Sequence, residues 1–222
     1  MEVYYAIPTK EPAKARTCAS MWHAMGYKVA FLMDHDADVA VGADLVITGK
    51  YVGYPAALRT LCLALHDIEV VVTGGDDILP DPRKMADEIA KEFLEYFPTT
   101  FGVMQPTGDR WILDKDGRAA SERICGSPWM GREFRRRING GTGPFWHEYF
   151  HFYCDEEMHD VCERLGVLWQ RPDLTHYHDH WLRQQARKRH EYLLKAKADE
   201  MRAKALFNTR KAANFPGHEP LP

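Results

Sequence analysis

Ile68-Glu69-Val70-Val71-Val72-Thr73-Gly74-Gly75-Asp76-Asp77-Ile78-Leu79-Pro80-Asp81-Pro82 is the stretch on which the fold turns. It reads as an apolar strand, Ile68 to Thr73, that runs into a Gly-Gly-Asp-Asp turn and then into a helix reaching about Phe97. Asp81 suits the cap of that helix and Pro82 its first position. Strands that are one apolar run belong in a parallel sheet covered on both faces. The preceding residues repeat the theme. Val3 to Ile7 reads as a strand, Ala13 to Met25 as a helix closed by Gly26, and Lys28 to Met33 as a strand ending at Asp34. Asp44 to Ile47 reads as a further strand, and Tyr54 to His66 as a helix with Leu58, Leu61, Cys62 and Leu65 on one side. This alternation predicts an α/β, Rossmann-like fold with a central, mostly parallel sheet flanked by helices. Ligands of such sheets sit beyond the carboxyl ends of the strands, where Asp76 and Asp77 stand.

From Phe101 the pattern changes. Phe101 to Met104 and Trp111 to Leu113 read as short strands, and Gly126 to Pro144 as an irregular stretch rich in Gly and Arg. A helix from about Asp155 to Leu165, a strand at Val167 to Trp169 and a long polar helix from about Trp181 to Ala213 follow. The final FPGHEPLP reads as disordered. With 222 residues, 45% hydrophobic and 27% charged, one substantial core is expected, with a C-terminal extension.

No stretch approaches the roughly 20 apolar residues of a membrane span. The N-terminal MEVYYAIPTKEP lacks the regions of a signal peptide, so a cytoplasmic location is expected, in a host cell if the source is a phage. The five cysteines, Cys18, Cys62, Cys125, Cys154 and Cys162, are odd in number and sit in apolar patterns, as buried thiols do. Net charge is -3, unevenly placed: ten Lys or Arg against three Asp or Glu between Leu182 and Lys211 leave +7 there and -10 elsewhere. An acidic body suits metal and phosphate chemistry, and a basic tail suits a polyanionic partner or simply a solvated helix.

Three constellations carry possible chemistry. Asp76-Asp77 offers the hard oxygen ligands a diphosphate-bound divalent cation requires, although such pairs also begin loops. His176-Tyr177-His178-Asp179-His180 places three imidazoles on one side of an extended chain, which suits metal or phosphate. Cys154-Asp155-Glu156-Glu157 sets three carboxylates at a helix start, either meeting the helix dipole or serving as a general base.

In this order the features resemble the nucleotide-sugar glycosyltransferases of GT-A fold. The resemblance covers roughly Val3 to Trp181 and rests on Ile7-Pro8-Thr9 at the first strand end, Arg16 in the next helix and Asp34 after the second strand. It continues with Gly75-Asp76-Asp77-Ile78-Leu79-Pro80, the acidic helix start and the late His segment. Gly102 to Asp109 and Gly126 to Arg132 are similar to small phage-type sugar transferases. The resemblance implies a domain over 1–181, with a nucleotide-sugar half (1–100) and an acceptor half (101–181), and a basic tail over 182–222. It implies Pro8, Thr9, Arg16 and Asp34 around the base and ribose, with Asp76 beside them. Asp77 with His178 or His180 would hold Mn²⁺ or Mg²⁺ on a nucleotide-sugar donor, UDP-linked first. Gly75 stands where the family carries the first Asp of its metal motif.

Asp155, Glu156 and Glu157 are then candidates for the base, Glu156 or Glu157 first. Trp129, Trp146, Tyr149 and Phe150 are candidates for an aromatic acceptor pocket. Arg132, Arg135, Arg136, Arg137 and the basic helix suit a DNA acceptor such as a hydroxymethylated base, with a glycan or small molecule as alternatives. The competing readings are a metal-dependent phosphohydrolase or nuclease, a nucleotidyltransferase, and a non-catalytic DNA-binding module.

Overall fold

The computed structural model describes residues 1–34, 41–180, 183 and 191–222, apart from the side chains of 191–193 and 195. The first half follows the expected alternation: β1 (Val3–Thr9), α1 (Pro12–Ala24), β2 (Lys28–Met33), β3 (Leu45–Thr48), α2 (Tyr54–Ala64) and β4 (Val70–Val72). Then come β5 (Ile78–Leu79), α3 (Ala86–Tyr96), β6 (Val103–Pro106), β7 (Trp129–Gly131), α4 (Arg132–Arg137), α5 (Cys154–Arg164), β8 (Leu168–Arg171), β9 (Tyr177–His178) and α6 (Glu191–Ala212).

Seven strands form one sheet in the order β3-β2-β1-β4-β7-β6-β8, and β5 pairs with β9 in a small ribbon of its own. β7 runs against both of its neighbours, while the remaining pairings in the large sheet are parallel. The fold is therefore a mixed α/β, Rossmann-like one with a mostly parallel sheet. Period-2 alternation divides each strand between two cores. Val3, Tyr5 and Ile7 of β1 face a core with Ala15, Cys18 and Trp22 of α1 and Ile89 and Phe93 of α3. Ala6 faces the other, with Leu58 and Leu61 of α2, Phe134 of α4 and Met158 and Val161 of α5. Helices cover both faces, which is why β4 is apolar throughout. All five cysteines are buried thiols.

Several elements depart from the sequence reading, each for a local reason. Asp81 and Pro82 do not open α3, which begins only after the N-cap Met85, whose N–H donates to Glu88 at 2.8 Å. Asp81 instead lies buried and accepts from the Thr175 N–H at 2.8 Å and from Arg83, tying the turn to a distant loop. Trp111 to Leu113 is not a strand: Ile112 has φ +51° and both Ile112 and Leu113 are exposed. Trp129–Gly131, expected to be irregular, fills the slot between β4 and β6, whereas the NGG segment is irregular as expected, with Asn139 at φ +53° and Gly140 at φ +61°.

The terminal segment is packed rather than disordered. Phe215 and His218 are buried, and the Asn139 and Leu221 N–H groups donate across to His218 and Arg137 carbonyls. Of the long helix expected from Trp181, residues 181–182 and 184–190 lie outside the described residues, and α6 is seen from Glu191.

Candidate functional site

Beyond the carboxyl ends of β1, β2 and β4 lies a cavity of about 350 Å³. β1 supplies Pro8 and Thr9, β2 supplies Leu32 and Asp34, and the turn after β4 supplies Gly74 to Asp77. Lys10, Glu11 and Lys14 line it from the start of α1, Tyr51 and Tyr54 from the start of α2, and Phe150 and His151 from the second half of the chain. Pro8, Thr9, Asp34, Asp76 and Asp77 are thus brought to one space. Arg16 is not among the lining residues; it is exposed on α1, and Lys14 is the α1 cation at the cavity.

The carboxylate turn is tightly held. Tyr5 donates to the Gly75 carbonyl at 2.6 Å, the Ile78 N–H to the same carbonyl at 3.1 Å, and Trp22 to the Ile78 carbonyl at 2.9 Å. A Cβ at Gly75 would meet the Asp77 carboxylate at 2.5 Å, so glycine there keeps Asp77 in place. Thr9 donates to Asp76 at 2.8 Å. Burial raises the Asp76 pKa and exceeds the lowering by that bond. Asp77 goes the other way: burial raises it, but the His178 hydrogen bond and charge outweigh burial and hold the carboxylate below its ordinary value. Two adjacent aspartates are thereby differentiated, the first anchored to β1 and the second turned toward the histidines.

The β5–β9 ribbon brings His178 to Asp77. It pairs Ile78 with His178, and the Asp179 N–H donates to the Asp77 carbonyl at 2.7 Å. His178 Nε2 stands 3.4 Å from Asp77 Oδ2. Two ligands about 2.1 Å from one ion in neighbouring octahedral positions lie about 3 Å apart, so this pair fits a shared Mg²⁺- or Mn²⁺-sized cation. The His180 ring is 5.0 Å from that of His178, and burial, then the His178 charge, lower its pKa against the opposing charge of Asp77.

His176, the third imidazole of the cluster, does not share this side. It is buried, its Nδ1 lies 2.7 Å from Ser127 Oγ and its Nε2 accepts from Trp129, with burial pushing its pKa down to about 4. Ser127 gives its own proton to the Thr73 carbonyl, so His176 Nδ1 must donate, and both ring nitrogens are engaged.

The acidic start of α5 divides as well. Glu157 is 2% exposed and its carboxylate is held by Arg210 at 2.7 Å and by the Tyr149 hydroxyl at 2.7 Å, away from the cavity lining. Burial, then Asp155, push the Glu156 pKa well up. Neither Asp155 nor Glu156 lines the cavity; His151, which the sequence reading passed over, does. Burial lowers the His151 pKa, while the charges of Asp155 and Asp77 oppose that shift. Only its place four residues before Asp155, in an aromatic stretch, marked it in the sequence.

Of the four aromatic residues expected to form an acceptor pocket, Phe150 alone lines the cavity. Trp129 is wholly buried, Tyr149 is bound to Glu157 and Trp146 lies under Arg210. The arginine stretch is equally occupied: Arg132 pairs with Glu69, Arg135 bonds the Leu65 and Ile68 carbonyls, Arg136 pairs with Glu133, and Arg137 reaches the Leu221 carbonyl. α4 follows directly on Gly131, which pairs with Val70 at the entry of β4, so these arginines lie at the end of the sheet opposite Asp76 and Asp77. Among the described residues, three ligand atoms come within 4.8 Å of one another at His159, Asp160 and Glu163 on α5, and there Asp160 is already paired with Lys211 at 2.7 Å.

No protein-family description and no curated protein matches this chain. Solved structures of similar shape include a putative glucose-1-phosphate thymidylyltransferase from Bacillus anthracis in complex with a sucrose, at TM-score 0.46 and 10% identity over 77% of this chain and 86% of that one. Another is A197 from STIV, at TM-score 0.45 and 14% identity over 80% and 85%. No helix among the described residues is long and apolar enough to cross a membrane. Fold and site together define an α/β protein with a carboxylate-bearing cavity at the carboxyl ends of a mostly parallel sheet.

Proposed function

We propose that the chain transfers a sugar from a nucleotide-sugar donor to a hydroxyl acceptor, with a divalent cation held by Asp77 and His178. The observation that carries this reading is the 3.4 Å approach of His178 to Asp77, which the pairing of β5 with β9 brings about at the cavity. Charge supports it. The lining carries Glu11, Asp34, Asp76 and Asp77 against Lys10 and Lys14, so a diphosphate alone would meet an excess of negative charge. A bound cation supplies Lewis-acid stabilisation of the departing diphosphate.

The chain's own residues then have distinct tasks. Pro8, Leu32, Asp34 and Tyr51 enclose the nucleoside, with Asp34 already fixed by accepting from the Tyr51 N–H at 3.2 Å. Lys10 and Lys14 face the phosphates. Thr9 keeps Asp76 pointing at the ribose side. His151, kept neutral by burial, is the group at the cavity able to take the acceptor hydroxyl proton. The acceptor oxygen bonds to the anomeric carbon as the bond from that carbon to the diphosphate oxygen breaks, and Asp155 stabilises the imidazolium that results.

Calorimetric titration with nucleoside diphosphates, with and without Mn²⁺, tests this. Binding should require the metal, UDP should bind best, and His178→Ala or Asp77→Ala should weaken apparent metal affinity by roughly 10–100-fold with the melting curve unchanged. Metal-independent binding, or normal metal affinity in both variants, refutes the assignment.

A further inference from the structure

α6 presents two unlike faces. One packs on the body, with Ala196, Ala203 and Arg210 buried. The opposite face meets solvent, and it is not polar throughout. Met201 is 77% exposed, more than any other described large apolar side chain, and Leu194, two turns earlier, is 59% exposed. Ala198 and Ala205 are exposed on the same strip. Lys197, Lys204 and Lys211 are also exposed and recur every seven residues, which sets them in a row along one border of that strip. Lys211 reaches Asp160 at 2.7 Å but keeps 56% of its side chain in solvent.

Three kinds of partner can be weighed against this pattern. A second copy packed antiparallel along this strip would set one lysine row against the other, and one packed parallel would set each row against the exposed Arg202 on the far border. Duplex DNA would satisfy the ammonium groups but leave Leu194 and Met201 against phosphate and water. An anionic bilayer satisfies both parts: the apolar side chains enter the boundary between headgroups and acyl chains, while the lysine stems lie along it with their charges among lipid phosphates.

We propose that α6 docks the protein on an anionic membrane surface through Leu194, Met201, Lys197 and Lys204. Two large apolar side chains make a small anchor, so the association is reversible and depends on negative lipid. It is independent of the reaction assigned to the cavity, and none of these residues lines that cavity.

The test uses the full chain and sedimentation with two kinds of vesicle, phosphatidylcholine alone and a mixture of two parts phosphatidylcholine to one part phosphatidylserine. Binding to the mixed vesicles should be at least roughly tenfold tighter and should weaken as salt rises. The double variant Lys197→Glu, Lys204→Glu and the separate variant Met201→Asp should each lose roughly tenfold or more of it. Their melting temperatures and nucleotide binding should stay at the wild-type values, because all three positions are exposed. The proposal is overturned by equal binding to both vesicle types, by no binding, or by unchanged binding of both variants. It is equally overturned by tighter binding to duplex DNA than to mixed vesicles, or by a dimer that Met201→Asp dissolves.

Discussion

Replacing Arg210 by Met removes the guanidinium that joins α6 to α5 while keeping most of the volume of its stem. In the native protein Arg210 Nε lies 3.0 and 2.9 Å from the two Glu157 oxygens and Nη2 lies 2.7 Å from the first of them. The same guanidinium sits 3.5 Å over the Trp146 ring, and the pair is almost wholly buried, at 6% and 2% exposure. The variant leaves a buried carboxylate with the Tyr149 hydroxyl at 2.7 Å as its remaining partner. Breaking a buried pair from one side costs about 3–5 kcal/mol, because the surviving charge loses its compensation. The lost contact with Trp146 overlaps this figure, so about 4 kcal/mol is the expected destabilisation. For a chain of this length that lowers the melting temperature by roughly 8–16 °C.

Scanning calorimetry and urea titration at neutral pH measure the loss. The double variant Arg210→Met, Glu157→Met should recover most of it, since a well-packed apolar pair replaces a buried ion pair at little cost. Glu157→Gln should leave transfer per folded molecule within roughly tenfold of the wild type, short of the 10²–10⁴ that loss of a general base removes. A single-variant melting temperature within about 3 °C of the wild type would refute the reasoning, as would a double variant no more stable than the single. A fall in transfer of 10²-fold or more in Glu157→Gln would return that residue to the chemistry.

The remaining predictions concern the frame of the cavity. Burial raises Asp81, but the bonds from Arg83 and from the Thr175 N–H outweigh it and hold the carboxyl at about 2 against an ordinary 3.8. Its folded pKa is depressed, so its contribution is present above the ordinary value and is lost as pH falls through the folded one. Stability should therefore drop between pH 3.8 and about 2, and acid titration of Asp81→Asn should show a shallower fall there. Gly53 has φ +122° and ψ 158°, and a Cβ there would meet the Phe150 carbonyl oxygen at 2.9 Å. Gly53→Ala should lose roughly 1–3 kcal/mol in urea titration and weaken nucleotide binding, because Tyr51, Tyr54 and Phe150 flank that contact; wild-type stability would show that the loop relaxes freely.

Local periodicity determined much of this protein from sequence alone. From Val3 to Tyr96 the strands and helices other than the unexpected two-residue β5 appear within a few residues of their expected places, because each carries its own apolar repeat and its own breaker, such as Gly26 after α1. The mostly parallel sheet and the position of Asp76 and Asp77 at its carboxyl end follow from the same repeats. What the repeats do not carry is pairing between distant segments. Trp129–Gly131 is a strand only because β4 and β6 leave a slot for it, and three residues hold too little periodicity to announce themselves. Asp81 had the local features of a helix cap, and the Thr175 amide, 94 residues away, claimed it instead. Tertiary structure likewise sorted the two charged clusters. His178 meets Asp77 while His176 is locked to Ser127, and Glu157 is taken by Arg210 while His151 reaches the cavity. Neighbours in sequence share composition and spacing, but the atoms that fix each one's charge and access come from elsewhere in the chain. Only the folded arrangement decides which of them faces a ligand and which holds the protein together.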